Sequence, residues 1–176
     1  MQKLTMPDLN RLTVADFKTA EKLPVVFVLD NLRSGLNIGS IFRTADAFAL
    51  EKVLLCGITA QPPHREILKT ALGSTESVEW AYFPETAEAI DFLKKEGRTV
   101  LAIEQAEPKI WLHDFQVEPG KKYAFVLGNE VDGVDADALK LCDGAVEIPQ
   151  FGTKHSLNVA VAAGIVAWDL MLRLRR

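Results

Sequence analysis

The sequence predicts an α/β domain with a mostly parallel sheet and helices on both faces. Two observations support this prediction. Short apolar runs of strand length alternate with segments of helical period along the chain. Several of these runs, such as residues 25–29, are continuously apolar, as in strands that are buried on both sides of a sheet. The length of 176 residues fits a single domain, and no internal repeat or linker interrupts it.

The chain is predicted to open with a helix over residues 14–22. Thr13, with Asp16 three residues later, has the pattern of a capping box. Pro24 is expected to end this helix, because proline lacks the amide hydrogen that a helix interior needs.

In the rest of the first half, three residues mark where predicted helices begin or end. Asn37 is expected to cap a helix, Pro84 to occupy the first position of another, and Gly97 to end that helix. The predicted strands are 25–29, 52–56 and 78–82, and the predicted helices are 37–48, 64–72 and 84–95.

The second half continues the alternation and ends in a long predicted helix over residues 156–173, with Ser156 as its cap. Small residues recur in this helix at helical spacing. They fit close packing against the sheet and a subunit interface equally well. These small residues are Ala160, Ala163, Gly164 and Ala167. The other predicted elements are strands 99–103, 123–127 and 145–148 and a helix over 135–141.

The charge balance argues against nucleic-acid binding through overall charge. The formal net charge is −4 and the pI is about 5.4, whereas proteins that bind nucleic acid in this way are usually basic. A nucleic-acid site would therefore depend on local groups of cations. The candidate groups are Arg33 with Arg43, His64 with Arg65 and Lys69, Lys154 with His155, and the C-terminal residues 173–176.

The N-terminal residues and the two cysteines indicate a compartment. Residues 1–7 lack the apolar stretch of a signal peptide, so we expect a cytoplasmic protein with reduced thiols. Cys56 and Cys142 stand apart from each other and from histidine pairs, so we expect no metal site. We expect them to be buried as small hydrophobic side chains.

A glycine-containing segment follows the first predicted strand and carries Asn37, Gly39 and Arg43. Glycine permits close approach of another backbone, and Arg43 lies roughly 1.7 helical turns beyond Asn37, from where its side chain could extend back to the loop. The segment lacks the glycine patterns of dinucleotide-binding and P-loop proteins. By itself it is explained as well by a plain cap and a surface cation.

Two further loops leave apolar strands near the C-terminus. Residues 127–133 read Leu-Gly-Asn-Glu-Val-Asp-Gly, and residues 148–160 run from Ile-Pro-Gln-Phe to Ser-Leu-Asn-Val-Ala. Their carbonyls, amides and short polar side chains would surround one pocket beyond the strand ends. The amides at the start of the last helix could bind a carboxylate or a phosphate. Taken singly, each loop is also explained as a turn or a cap.

In this order, the three segments resemble the signature motifs of the SpoU (TrmH-type) RNA ribose 2′-O-methyltransferases of the SPOUT superfamily. The resemblance covers roughly residues 25–176, which would form the methyltransferase domain after a short extension with a helix, 1–24. The matching residues are Asn37, Gly39 and Arg43; Leu127, Gly128, Glu130 and Gly133; and Ile148, Pro149, Ser156, Leu157, Asn158, Val159 and Ala160.

The resemblance implies a fold and a chemistry. It implies a C-terminal trefoil knot, S-adenosylmethionine as the cofactor, and a homodimer in which each active site uses residues of both subunits. That arrangement favours the interface interpretation of the small-residue helix. The implied reaction transfers a methyl group to a ribose 2′-hydroxyl of tRNA or rRNA, and the compact chain favours tRNA.

The resemblance also assigns the site residues. The catalytic set is Arg43, Asn37, Glu130, Ser156 and Asn158. The cofactor-binding set is Leu127, Gly128, Ile148, Gln150, Phe151, Leu157, Ile103 and Glu104, with Gln105 beside it. The RNA-binding set is Arg33, Arg43, Arg65 and Lys154.

Two hypotheses for Arg43 follow from the resemblance. The family account often makes this arginine the general base. A guanidinium pKa above about 12 instead favours an Arg43 that stays charged, binds a substrate phosphate and stabilises the developing alkoxide.

Two other functions are considered. One is a non-catalytic protein of the same fold that holds S-adenosylmethionine or RNA, which the loss of Arg43, Glu130 or Asn158 would favour; all three are present. The other is a small-molecule α/β enzyme, which suits the acidic pI but does not explain three motifs in order.

Overall fold

Seven strands of the described residues form one sheet in the computed structural model. The model describes residues 3–5 and 7–175. The strands are β1 (Leu23–Asp30), β2 (Leu50–Cys56), β3 (Glu79–Phe83), β4 (Thr99–Ile103), β5 (Ile110–Trp111), β6 (Tyr123–Leu127) and β7 (Gly144–Glu147). Their order is β3-β2-β1-β6-β4-β7-β5, and every pairing is parallel. The predicted parallel sheet is confirmed.

Helices cover both faces of the sheet, as predicted. The helices are α1 (Val14–Thr19), α2 (Gly35–Ala47), α3 (Arg65–Ala71), α4 (Ser74–Ser77), α5 (Thr86–Lys95), α6 (Ala136–Leu141) and α7 (Val159–Leu174). On one face, residues of α1, α2, α3 and α7 pack with Val25, Phe27 and Leu29 of β1. On the other face, residues of α5 and α6 pack with Val26 and Val28. The continuous apolar run of β1 therefore serves two hydrophobic cores.

The sheet topology brings three loops to one place. β6 lies between β1 and β4, and β7 lies on the far side of β4. Ile103 at the end of β4 pairs with Leu127 of β6 and with Val146 of β7, so these three strands end at the same edge of the sheet. The loops that follow them begin side by side, beyond the carboxyl ends of the strands, where open α/β sheets bind their ligands.

Three predicted helix starts are wrong. Ser34, not Asn37, caps α2, and its hydroxyl accepts a hydrogen bond from the Asn37 amide. Asn158, not Ser156, caps α7 by accepting from the amides of residues 160 and 161. In both places two residues with good capping side chains stand close together in sequence, so the composition alone did not decide between them. Pro84 precedes α5, whose cap is Glu85.

The first helix is shorter than predicted, and Thr13 caps it as predicted, but the reciprocal bond of a capping box, from the Thr13 amide to Asp16, is not formed. Thr13 accepts from the Asp16 amide and donates its hydroxyl to the Asp16 carboxylate. The helix ends at Thr19, and Pro24 lies within β1, at an irregularity of the pairing with β2. A missing amide hydrogen is tolerated at such a position. Gly97, with a φ of 76°, ends α5 as predicted.

Several short elements were not predicted. They are α4, β5 and the 3-10 turns Pro7–Leu9 and Leu112–Asp114. The predictions about the N-terminal residues and the cluster 173–176 include residues 1, 2, 6 and 176, which lie outside the described residues. No helix of the described chain is both long enough and apolar enough to cross a membrane.

Candidate active site

A cavity of about 530 Å³ lies where β4, β6 and β7 end, and we call it the strand-end cavity. All three loops that meet at this edge contribute to its walls. Its lining residues are Ile103, Glu104, Gln105, Leu127, Gly128, Asn129, Glu130, Val131, Asp132, Gly133, Glu147, Ile148, Gln150, His155, Ser156, Leu157, Asn158, Val159 and Ala162.

Seven of the eight residues in the predicted cofactor set line this cavity: Leu127, Gly128, Ile148, Gln150, Leu157, Ile103 and Glu104. The eighth, Phe151, does not line it and is 99% exposed. Phe151 was placed in the set because it follows Gln150 in the same loop. Adjacent residues of an extended segment direct their side chains to opposite sides, so adjacency to a lining residue does not place Phe151 in the cavity.

A chain of side-chain hydrogen bonds joins the three motif segments. Asn37 Nδ2 donates to Glu130 Oε1 over 2.9 Å. Asn158 Nδ2 donates to Asn37 Oδ1 over 3.2 Å, while Asn158 Oδ1 caps α7. The orientation of each amide is fixed, because Asn37 must donate to a carboxylate and Asn158 must accept from backbone amides. We call this set of Glu130, Asn37 and Asn158 the Glu–Asn–Asn network.

Glu130 also binds the backbone that precedes α2. Its two carboxylate oxygens accept from the amides of Arg33 and Ser34, each over 3.2 Å. Burial raises the pKa of Glu130, but the hydrogen bonds from Asn37 and from these amides outweigh it and hold the pKa below its usual range. Glu130 is therefore ionised at neutral pH, and it acts as an acceptor that orients Asn37.

The loop after β6 is a tight turn that requires its glycines. A Cβ on Gly128 would lie 2.0 Å from the carbonyl carbon of Gly133, so the two backbones touch here. Gly133 has a φ of 73°, a conformation that favours glycine, and a Cβ there would meet the Glu104 carboxylate. Asn129 stabilises the turn by accepting from the amides of residues 131 and 132. Two of the motif glycines thus have a structural reason.

Glu104 has a structural task as well as a place in the cavity wall. Its carboxylate accepts from the Val134 amide over 2.9 Å and from the Gln105 amide over 2.8 Å. It thereby fixes the loop after β6 to the end of β4. Asp30, fully buried at the end of β1, does the same for α6 by accepting from the Asp135 amide over 2.7 Å and from the Thr86 hydroxyl over 2.6 Å.

Arg43 does not lie at the strand-end cavity of its own chain. It is exposed on the outer side of α2 and has no hydrogen bond or ion pair to any described residue. It lines a second cavity of about 460 Å³, which we call the helix-face cavity. The other lining residues are Ser40, Thr44, Ala47, Phe48, Lys69 and Thr70. The expected reach back to the loop before α2 is not found, since six residues place Arg43 roughly two thirds of a turn around the helix from Asn37.

The predicted RNA-binding cations are exposed but lie in different segments. Arg33 precedes α2, Arg65 begins α3, and Lys154 lies in the loop before α7. The starts of α2 and α3 are close, because a Cβ on Gly35 would lie 2.8 Å from Glu66 Cβ. Lys69, which shares the helix-face cavity with Arg43, was left out of the predicted set.

Several lining residues were not predicted. Ser156 of the catalytic set lines the strand-end cavity beside the unpredicted His155. Glu147 also lines it, with its side chain 13% exposed and 2.8 Å from the Lys109 ammonium. The position of Glu147 between Val146 and the Ile-Pro pair, at the end of a strand, was the available signal.

Two of the four small residues of α7 face the core, away from the large apolar residues of the helix, whereas Ala160 and Gly164 are half-buried and Gly164 lies beside those large residues. Ala163 and Ala167 are fully buried in the core of their own chain, so core packing accounts for them. An exposed apolar stripe occupies the other side of the helix. We call it the α7 stripe: Val161, Ile165, Trp168 and Leu172, which are 51%, 37%, 53% and 47% exposed.

The two cysteines are not bonded to each other. Cys56 is fully buried, as predicted, and Cys142 is half-buried. Burial raises the pKa of Cys56 to about 12 and that of Cys142 to about 11, so both thiols are protonated at neutral pH. Within residues 3–5 and 7–175 no group of three or more His, Cys, Asp or Glu side chains is arranged to hold a metal ion.

Comparisons with known proteins agree on one family. The model of the SpoU rRNA Methylase family matches residues 24–168. A tRNA (guanosine(18)-2′-O)-methyltransferase of Thermus thermophilus is 35% identical over 81% of this chain and 71% of its own. A 23S rRNA (guanosine-2′-O-)-methyltransferase RlmB of Neisseria meningitidis is 30% identical over 81% of this chain and 56% of its own.

Solved structures support the same relationship. The AdoMet-bound rRNA methyltransferase from Sinorhizobium meliloti superposes with a TM-score of 0.79 at 26% identity. The match covers 88% of this chain and 61% of that protein. The chain thus spans less than two thirds of the length of this structure and of the Neisseria relative.

The lowered pKa of Glu130 predicts a pH-dependent stability. Glu130→Gln removes the charge and one acceptor oxygen, so its free energy of unfolding at pH 7 should be lower by about 1 kcal/mol. Because the folded pKa is lowered, the contribution of Glu130 is complete above the ordinary glutamate pKa of about 4.3. It is lost as the pH falls through the lowered pKa. Urea unfolding from neutral to acid pH measures the difference between the two proteins.

Glu88→Gln is the matched control, since Glu88 is exposed on α5 and its side chain bonds to no described residue. A difference between Glu130→Gln and the native protein that stays constant from pH 7 to acid pH would contradict the prediction.

Proposed function

Because this chain belongs to the SpoU rRNA Methylase family, we propose that it is an RNA methyltransferase. The reaction is transfer of a methyl group from S-adenosylmethionine to a ribose 2′-hydroxyl. The observation that carries the proposal is the strand-end cavity. The second and third motif segments form its walls, and the Glu–Asn–Asn network bonds the first motif segment to them. The relatives named above act on tRNA and on rRNA.

The cavity suits S-adenosylmethionine in size and charge. Its volume of about 530 Å³ lies within the range of small-molecule sites. When bound, this cofactor supplies a methyl group on a positively charged sulfur. The exposed carboxylate of Asp132 in the wall favours a ligand with positive groups, whereas Lys109 already balances the charge of Glu147. The backbone around Leu127, Gly128 and Ile148 would hold the adenosine and methionine parts, with Leu157, Ile103 and Gln150 beside them.

We propose that Arg43 stays charged during the reaction. Its guanidinium would bind a phosphate of the RNA and stabilise the oxygen as it loses its proton. Lys69, on the same cavity and without an ion-pair partner in the described chain, would bind a neighbouring phosphate. Ser156 and Asn158 would orient the ribose at the strand-end cavity. In-line attack of the ribose oxygen on the methyl carbon, in which the carbon–sulfur bond would break and the hydroxyl proton would pass to water, depends mainly on such positioning.

We further propose that Arg43 acts on the active site of a second copy. Two observations support a homodimer built on the α7 stripe. The stripe starts at Val161, next to the cavity-lining Ala162. Trp168 packs against Phe48 of the helix-face cavity, with ring centroids 6.0 Å apart. The stripe therefore runs between the two cavities, and a symmetric pairing through it would bring Arg43 of one subunit toward the strand-end cavity of the other.

The remaining proposals concern chain path, boundaries and location. The segment before α7 would pass through a loop of the fold and form a trefoil knot; the bonds of this segment to Gln105 and to Asn37 support that path. Residues 25–176 would form the methyltransferase domain after the extension 1–24, although β1 begins at Leu23. RNA modification would take place in the cytoplasm.

A second candidate has one observation in its favour. Arg43 lines the helix-face cavity and not the strand-end cavity of the same chain. This separation suits a protein that binds S-adenosylmethionine or RNA without catalysing a reaction.

Methyl transfer tests the proposed function. Labelled S-adenosylmethionine, incubated with the protein and total tRNA or rRNA, should label one RNA class at a ribose. Arg43→Ala should reduce the rate by a factor of about 100 or more, because a stabilising charge at the oxygen is lost. Lys95→Ala is the matched control, as Lys95 is exposed on α5, on the other face of the sheet. Cofactor binding without label in any RNA would support the non-catalytic candidate instead.

Arg43→Lys separates the two hypotheses for Arg43. A phosphate clamp needs two parallel donors, so the lysine variant should have low activity at every pH. Substantial activity with the pH optimum displaced toward the pKa of lysine would show that this residue accepts the proton.

Complementation tests whether the site is shared between subunits. Arg43→Ala and Asn158→Ala should each be nearly inactive alone. After the two variants are mixed and allowed to exchange subunits, each mixed dimer would contain one site with both native residues. Activity should therefore reappear, up to about half of the native value per mixed dimer, since one of two symmetric sites is intact. If Arg43 served its own chain, every site would keep one defect and no activity would return.

A further inference from the structure

The loop between β7 and α7 makes few buried contacts and few hydrogen bonds. We call residues 149–157 the strap. At its two ends, Ile148 packs against the core and Asn158 caps α7. Between these points every residue from 151 to 157 is exposed, so burial of apolar surface contributes little to its position. A segment with few buried contacts and few hydrogen bonds opens easily.

Gln105 makes the one side-chain hydrogen bond that ties the strap to the rest of the described chain. Its Nε2 donates to the carbonyl of His155 over 2.6 Å. Among residues 3–5 and 7–175, no other hydrogen bond joins residues 149–157 to another segment. Gln105, His155 and the strap residues Gln150, Ser156 and Leu157 all line the strand-end cavity.

The backbone beneath Gln105 is fixed. The Gln105 amide donates to the Glu104 carboxylate over 2.8 Å, and the Glu104 amide donates to the Val146 carbonyl over 3.2 Å. The donor therefore projects from the rigid end of β4, whereas its acceptor lies in the exposed strap. A rigid donor that binds a loosely held segment restricts the segment, and the segment does not displace the donor.

We infer that Gln105 is a positioning residue that holds the strap in place as a wall of the cofactor site before the cofactor arrives. The identity of the ligand rests on the proposed function, but the contact and its effect on the strap do not. Preorganisation lowers the entropy cost of binding, so loss of the contact should weaken binding of the ligand more than it slows the chemical step. One hydrogen bond of ordinary strength corresponds to a loss of about three- to tenfold in affinity.

The strap carries its own probe of mobility. Lys154 is exposed beside the tethered carbonyl of His155, and trypsin cleaves after lysine when the surrounding segment can open. The cleavage rate after Lys154 in the cofactor-free protein, followed by mass spectrometry, therefore reports the strap directly. This measurement needs neither the cofactor nor RNA.

Two variants and one control form the experiment. Gln105→Ala removes the donor, and Gln105→Glu keeps the size but replaces the donor by an acceptor. The control is Gln116→Ala, because Gln116 also donates to a backbone carbonyl, that of Asp114, and lies outside the cavity lining. Calorimetry gives the affinity for S-adenosylmethionine, and steady-state kinetics give kcat and the KM for each substrate.

We expect both Gln105 variants to be cleaved after Lys154 several times faster than the native protein. Their affinity for S-adenosylmethionine should fall about three- to tenfold. The KM for the cofactor should rise by a similar factor and kcat should change less, because Ser156 of the strap also faces the cavity; Gln116→Ala should match the native protein throughout.

Unchanged cleavage would overturn the inference. If affinity fell while cleavage stayed the same, Gln105 would act by touching the cofactor and not by holding the strap. If the native protein bound no S-adenosylmethionine, the proposed function would fail, and faster cleavage in the variants would still support the role of Gln105 in placing the strap.

Discussion

The hydrogen bond between Glu130 and Asn37 is the contact on which the geometry of the site depends. It spans 93 residues of sequence and joins the loop after β6 to the first turn of α2. Asn37 passes the connection on to Asn158, which caps α7. Three segments that leave the sheet at different strands are thereby held at one edge, and the strand-end cavity is the space between them. Because Glu130 is ionised, it orients the Asn37 amide as a donor, and the backbone amides at the start of α7 orient the Asn158 amide.

The strand-end cavity and the helix-face cavity differ in the groups that line them. The turn that contains Gly128 and Gly133, bonded to the end of β4 through the Glu104 carboxylate and to α2 through the Glu130 carboxylate, forms part of the wall of the strand-end cavity. The helix-face cavity presents Arg43 and Lys69 to solvent, without an acidic residue in its lining. An acidic protein can bind RNA if the cations are concentrated where the reaction takes place, and the net charge of −4 then acts against contacts elsewhere. The α7 stripe starts beside the strand-end cavity and its Trp168 packs against Phe48 of the helix-face cavity, which supports the proposed dimer.

Six of the seven strands of the described chain could be predicted from the sequence, because burial on both faces leaves a continuous apolar run such as that of β1, whereas the two-residue β5 is too short to leave such a run. The site was predicted in outline for a related reason: the loops after buried strands were marked by Gly128, Gly133 and Ile148. The caps could not be predicted, since Ser34 and Asn37, or Ser156 and Asn158, are equally suitable locally, and the choice depends on tertiary partners. The prediction for Phe151 depends on its proximity to Gln150 in sequence, and that proximity does not give the direction of a side chain. The prediction for Arg43 comes from the resemblance, and its expected reach to the loop before α2 fails because of its position around the helix.

The coupling energy between Glu130 and Asn158 measures whether Asn37 connects their two segments, because in the described chain each of them bonds to Asn37 and not to the other. The free energies of unfolding of Glu130→Ala, Asn158→Ala and the double variant give the coupling energy, first with Asn37 present and then in an Asn37→Ala background. We expect a coupling energy of about 0.5 kcal/mol or more when Asn37 is present, and none once Asn37 is replaced. Additive effects in the native background, or a coupling that persists without Asn37, would contradict this expectation.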